Sequence, residues 1–146
     1  MATGTLYLGT SGWSYAHWGK GVFYPRGLKS VQWLGHFAAE FSTVVINASF
    51  YRLPRPEMVL RWCEVTPPGF RFAIKLWRRV THERRLLNAG EDLRRFLEVA
   101  DVLGPKRGPL LVQLPPTLRA DLSRLDAFLA ELRAARLPVY TFPESA

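Results

Sequence analysis

Four hydrogen-bonding side chains, Asn47, Ser49, Tyr51 and Arg52, fall within six residues directly behind the β-branched run 43–46, and Pro54 closes the stretch. An apolar strand that turns polar and aromatic at its C-terminal end is how parallel α/β proteins place the groups that handle ligands. Three further clusters follow the same plan. Ser11, Trp13, Tyr15 and His17 come after the first apolar run, Lys75, Arg78 and His82 after the third, and Gln113 after the fourth. As a set they supply donors for phosphate or carboxylate, rings for stacking, and two histidines able to transfer protons near neutral pH. His17, His82 and Lys75 are the candidate catalytic residues. Ser11, Trp13, Tyr15, Asn47, Ser49, Tyr51, Arg52, Arg78 and Gln113 are the candidate substrate-binding residues. Lys75 would act as an anion holder or a Schiff-base amine if burial lowers its pKa, or as a structural lysine lying along the rim. Asn47, Ser11 and Ser49 have an equally plain role as turn and strand-end residues.

Other chemistries find little support. His17, His36 and His82 are far apart in sequence and lie in no metal-ligand spacing, so no metal site is expected. His36 falls on a helix, where packing is the simpler role. Cys63 is the single cysteine; without a partner histidine motif it reads as a small buried hydrophobe, and it cannot form an intrachain disulfide. The turn Gly9-Thr10-Ser11-Gly12 lacks the spacing of a dinucleotide fingerprint or a P-loop, so no cofactor is expected.

The elements that must position these groups can be read from hydrophobic patterning. The apolar run 6–8 predicts a first strand ending at Gly9, followed by a loop over residues 10–29 rich in glycine and aromatics. Such a loop either packs on itself over one end of the core or forms a wall of a binding site. Ser30 is placed to cap a helix running to about Phe41, with Val31, Leu34, Phe37, Ala38 and Phe41 at helical spacing. After the strand 43–46, Pro56 suits the first turn of a second helix carrying Met58, Val59 and Trp62. Residues 70–77 alternate: Phe70, Phe72, Ile74 and Leu76 on one side, Arg71, Ala73, Lys75 and Trp77 on the other, which predicts a third strand. Residues 90–103 predict a helix on Leu93, Phe96, Leu97, Ala100 and Leu103, with Glu91 and Asp92 in a first turn favoured by the helix dipole. A fourth strand at 110–112, a helix at 121–136 and the start of a fifth strand at 139–142 complete the pattern. Repeated strand–helix units imply a parallel sheet with right-handed crossovers. Their period of about 33 residues is that of a TIM-type (β/α) barrel. A full barrel needs roughly 250 residues, so the 146-residue chain is expected to be one partial barrel domain of about four β/α units.

The net charge is +8, and five of those positive charges fall within residues 71–95. Arginine outnumbers lysine sixteen to four, which favours a bidentate grip on phosphate or carboxylate. The stretch is either a nucleic-acid-binding patch or a solvated basic face. No apolar run approaches the ~20 residues needed to span a bilayer, and the N-terminus has no signal-peptide pattern. With one cysteine, a cytoplasmic, non-membrane protein is expected.

Several motifs then fall into one order: Gly9-Thr10-Ser11-Gly12-Trp13, Ile46-Asn47-Ala48-Ser49-Phe50-Tyr51-Arg52, residues 70–75, Thr81-His82 and Gln113-Leu114-Pro115-Pro116. They resemble the YecE-like family, domain of unknown function 72, over its N-terminal half. The resemblance implies a TIM-barrel-like fold without an assigned activity. Two departures stand out. Val45 occupies a position where the family usually carries an acidic residue, and residues 140–146 stand where the family continues into an acidic-Phe-Arg-His segment. A half-barrel leaves two sheet edges unpaired and its inner face uncovered. A homodimer or a complementing C-terminal fragment is therefore expected, along with an anionic small molecule or nucleic acid as ligand. Three functions remain open: an enzyme or enzyme remnant acting on an anionic substrate, a nucleic-acid-binding module, or a fragment without activity.

Overall fold

The computed structural model describes residues 4–135. Four strands, β1 (Gly9–Ser11), β2 (Thr43–Ile46), β3 (Arg71–Lys75) and β4 (Arg107–Leu111), form one sheet in the order β1-β2-β3-β4. Every neighbouring pair is parallel. The crossovers carry α1 (Trp33–Glu40), then α2 (Ala48–Tyr51) and α3 (Pro56–Glu64), then a π-helical turn (Arg79–Glu83) and α4 (Gly90–Asp101). Helix α5 (Leu122–Ala134) follows β4. Consecutive strands pair with one another, so all four C-terminal ends gather along one rim. This is an α/β fold with a parallel four-stranded sheet. The strand expected at 139–142 lies outside the described residues.

The alternation read from the sequence decides which face is covered. Val44, Ile46, Phe72 and Ile74 are buried in one core cluster with Phe37, Val59, Trp62, Phe96 and Ala100 from the helices. Each fully buried Phe contributes about 1.5–3 kcal/mol relative to exposure, and Phe37, Phe70, Phe72, Phe96 and Phe128 are all of this kind. On the opposite face Thr43, Val45, Arg71, Ala73 and Lys75 are half-buried, while Ser11 and Leu111 are exposed. The ladder aligns Ser11 with Val45, Val45 with Ala73, and Lys75 with Leu111 on that face.

Several boundaries differ from the sequence expectation, β3 closing at Lys75 and α4 at Asp101 among them. The first strand is Gly9–Ser11, not the apolar run before it, and Leu6 and Leu8 are exposed. A Cβ on Gly9 would lie 1.7 Å from the Thr43 carbonyl oxygen, so the close approach of β1 to β2 requires glycine there. Strand β4 begins at Arg107 because backbone pairing starts before the apolar residues do. Phe72 faces Arg107 and Ile74 faces Leu110, so three residues of β4 oppose two of β3, a bulge at Gly108 and Pro109. Ser30 caps nothing; it opens a short 3-10 turn (Ser30–Gln32), and α1 starts at Trp33.

The aromatic loop packs on itself and on α1. Tyr24 is fully buried, stacks on Trp33 at 4.4 Å, and donates its hydroxyl proton to the Trp13 carbonyl; burial pushes its pKa up to about 12. His36 lies against Phe23 and Tyr24 as a packing residue. A buried cation fastens the opposite side of the core: Lys106 donates to the Cys63 and Thr66 carbonyls, each at 2.5 Å, and to the Thr66 hydroxyl at 2.9 Å. Cys63 sits beside it. Burial raises that thiol's pKa, the Lys106 charge opposes the rise and Glu64 adds to it.

Candidate functional site

The rim is assembled around the end of β2. Asn47 leads into the single turn of α2, and its amide donates to the Ser11 hydroxyl at 2.6 Å, joining the ends of β1 and β2. Ser49 is buried, and its hydroxyl lies 2.7 Å from both the Ile46 and the Lys75 carbonyls, joining β2 to β3. A hydroxyl so engaged holds the ends of the two strands together at the rim. Tyr15 reaches over from the loop and donates to the Ser11 carbonyl.

On this frame Lys75, Phe50 and His82 come together. The Lys75 ammonium lies 4.3 Å from the centre of the Phe50 ring, a cation–π contact, and the His82 ring meets Phe50 edge-on at 5.0 Å. No described carboxylate pairs with Lys75. His82 Nδ1 is 2.9 Å from the hydroxyl of Thr81, which is itself fully buried. Burial lowers the His82 pKa below its ordinary value, and the positive charges of Arg78 and Lys75 lower it further. At neutral pH the ring is therefore uncharged, with a lone pair to accept a proton, in a site of positive potential.

The segment bearing His82 is held from behind. Asp92, in the first turn of α4, is buried and lies 2.8 Å from Arg79 Nε and 3.1 Å from Arg84 Nε. Burial pushes its carboxyl pKa up, but hydrogen bonds from Arg84 and Arg79 and their charges outweigh this and hold it below the usual carboxylate range. Arg78 lies 3.5 Å from Glu83.

The other expected site residues are more dispersed. Trp13 packs edge-on against Trp62 at 5.4 Å and so belongs to the core margin. His17 is exposed on a 3-10 turn near Tyr15, whose ring it meets at 5.7 Å. Tyr51, Arg52 and Gln113 are exposed. The structure thus joins Ser11, Tyr15 and Asn47 by hydrogen bonds, ties Ser49 to the Lys75 backbone, and groups Lys75, His82 and Arg78 through charge and a shared ring. Phe50 is the rim residue missing from the expected set. Its signal was its place in the stretch 46–52, immediately beyond the strand. Among the described residues no three His, Cys, Asp or Glu side chains gather as a metal site, and no helix is long and apolar enough to cross a membrane.

Residues 7–140 match the family described as Protein of unknown function DUF72. The chain belongs to this family. It is 33% identical over 112 residues to UPF0759 protein YecE of Escherichia coli K12, covering 77% of this chain and 38% of that protein. A crystal structure of a DUF72 protein from Thermotoga maritima shares 30% identity and superimposes with a TM-score of 0.72, over 88% of this chain and 51% of that one. A DUF72 structure from Enterococcus faecalis shares 26% identity with a TM-score of 0.58, over 69% and 42% of the two chains. The chain therefore spans about half the length of its DUF72 relatives, or less.

Proposed function

We propose that the rim binds the anionic group of a small-molecule substrate, phosphate or carboxylate, and that a proton transfer takes place beside it. The supporting observation is the Lys75 ammonium set over Phe50, next to a neutral His82 and without a carboxylate partner among the described residues. Lys75 would hold the anion and His82 would accept or return the proton, with Arg78 adding positive potential. Thr81 would fix the histidine ring by its hydroxyl. The sheet, in this reading, is about half of a (β/α) barrel in a cytoplasmic protein, and a second copy or a separate C-terminal fragment would cover its open face. The nucleic-acid reading is the weaker one. Arg78, Arg79 and Arg84 of the basic segment are already engaged by Glu83 and Asp92, which removes part of the charge a polyanion would need.

The test is an NMR titration of the His82 ring in the presence of inorganic phosphate, pyrophosphate or citrate at low salt. A bound anion should raise the His82 pKa, and by linkage its affinity should increase as pH falls through that pKa. Lys75→Met should abolish both effects. A His82 titration indifferent to every anion, with or without Lys75, would refute the proposal.

A further inference from the structure

A second group of arginines lines a cleft that shares no lining residue with the Lys75 cluster. Behind the π-helical turn and beside the start of α5 lies an open cleft of about 630 Å³, lined by Arg85, Thr117, Arg119, Asp121 and Arg124 among others. Three separate backbone segments supply the arginines. Arg85 comes from the β3–α4 connection, Arg119 from the β4–α5 connection, and Arg124 from the first turn of α5.

The walls are tied to one another. Arg85 donates to the Thr117 carbonyl at 2.8 Å and to its hydroxyl at 3.3 Å, and Arg124 donates to the Arg85 carbonyl at 3.5 Å. Arg124 Nε lies 3.3 Å from Asp121 Oδ2, yet it is shut off from solvent with no hydrogen bond of good geometry. Arg119 makes no ion pair or side-chain hydrogen bond with the described residues. Arg85 and Leu86 hold the left-handed backbone region, at φ 53 and 67, and burial of the Leu86 side chain keeps them there. The N–H groups of Leu122 and Ser123, in the first turn of α5, can find no carbonyl within the helix.

We propose that this cleft is a second binding site, independent of the Lys75 rim, and that it takes a phosphate group. Three guanidinium groups against the single carboxylate of Asp121 leave two positive charges, the complement of a phosphate monoester dianion. Arginines carried by three backbone segments, with the N–H groups that Thr117, Asp121 and the Arg85 carbonyl leave free, suit a tetrahedral group with several acceptor oxygens better than a planar carboxylate. The volume leaves room for whatever the phosphate is attached to.

The experiment is an amide-shift titration of the whole 146-residue chain with inorganic phosphate, then adenosine monophosphate, then a short oligothymidylate. Inorganic phosphate should shift the amides of Thr117, Arg119, Leu122 and Ser123. Arg119→Glu should weaken that response at least tenfold while leaving the far-UV circular dichroism unchanged, because Arg119 is exposed and holds nothing in place. Lys75→Met should leave it intact. Adenosine monophosphate binding as well as the oligonucleotide would identify a free phosphate monoester as the source; a tighter, salt-sensitive oligonucleotide response would identify a phosphodiester backbone. Shifts confined to Lys75, Phe50 and His82, or an Arg119→Glu chain that titrates like the parent, would overturn the proposal. The first of those results would leave the rim proposal standing, and a response only at the arginine cleft would do the reverse.

Discussion

Asp92→Asn isolates the device that holds the His82 segment in place. The substitution preserves shape and removes one buried negative charge that two arginines share, at 2.8 and 3.1 Å. A hydrogen bond to a charged group contributes about 1.5–3 kcal/mol, which for two gives an upper figure of roughly 6 kcal/mol. Both arginines are close to half exposed, 43% for Arg79 and 46% for Arg84, so water rescues them when they are released. The expected loss is therefore about 1–3 kcal/mol, or roughly 3–10 °C in melting temperature. The pH dependence has a definite sign. The folded-state pKa of Asp92 lies below its ordinary value of 3.8, so its contribution is fully present above that value and is lost as pH falls toward the depressed folded pKa. Urea denaturation of parent and variant at pH 7, 5 and 3 should show a constant gap at the first two and a narrower one at the third. Amide exchange over residues 79–83 should quicken in the variant at neutral pH. Equal stabilities at pH 7, or a gap that stays the same width at pH 3, would refute this account of the arginine clamp.

Two further outcomes concern the scaffold. Lys106→Met keeps the volume but strips the Cys63 and Thr66 carbonyls of the ammonium donor, and should destabilise the chain by about 2–4 kcal/mol in chemical denaturation; a variant as stable as the parent would show that burying the ammonium cancels its bonds. Gly9→Ala forces a methyl group into the Thr43 carbonyl and should cost about 1–3 kcal/mol, with faster amide exchange in β1 and β2; unchanged exchange would mean that β1 does not need its close approach.

Much of the frame was legible because burial and periodicity coincide in it. Strand β2 has the limits its β-branched run predicts, and every apolar position expected of the helix at 90–103 is buried, although α4 itself ends at Asp101. The edges of the sheet were harder to read. Leu6 to Leu8 look like a strand, but pairing begins at Gly9, where the absence of a side chain matters and hydrophobicity does not. For the same reason β4 starts at Arg107, three residues before its apolar run. Within the rim, Lys75 and His82 were visible by type, whereas Phe50 was hidden because an aromatic residue beside a strand resembles core. Asp92 read as a helix-dipole residue, and its arginine partners Arg79 and Arg84 lie eight and more positions away across a turn that periodicity does not describe. Lys106 gave no sign, since nothing local distinguishes a lysine that will meet carbonyls some forty residues earlier in the chain.

The bulge in β4 reaches further than the local ladder. Strict alternation would place residues three apart on opposite faces, yet Arg107 and Leu110 lie opposite Phe72 and Ile74, which share a face. The extra residue at Gly108 and Pro109 thus acts as a phase shift in the strand. With it, Leu110 turns inward to the helices and Leu111 comes out beside Lys75. Pairing the same residues from Arg107 onward without the bulge would exchange the two leucines and everything in step with them. The neighbour that Lys75 meets on the open face is therefore set by a count of residues well below the rim, and not by any residue of the rim itself.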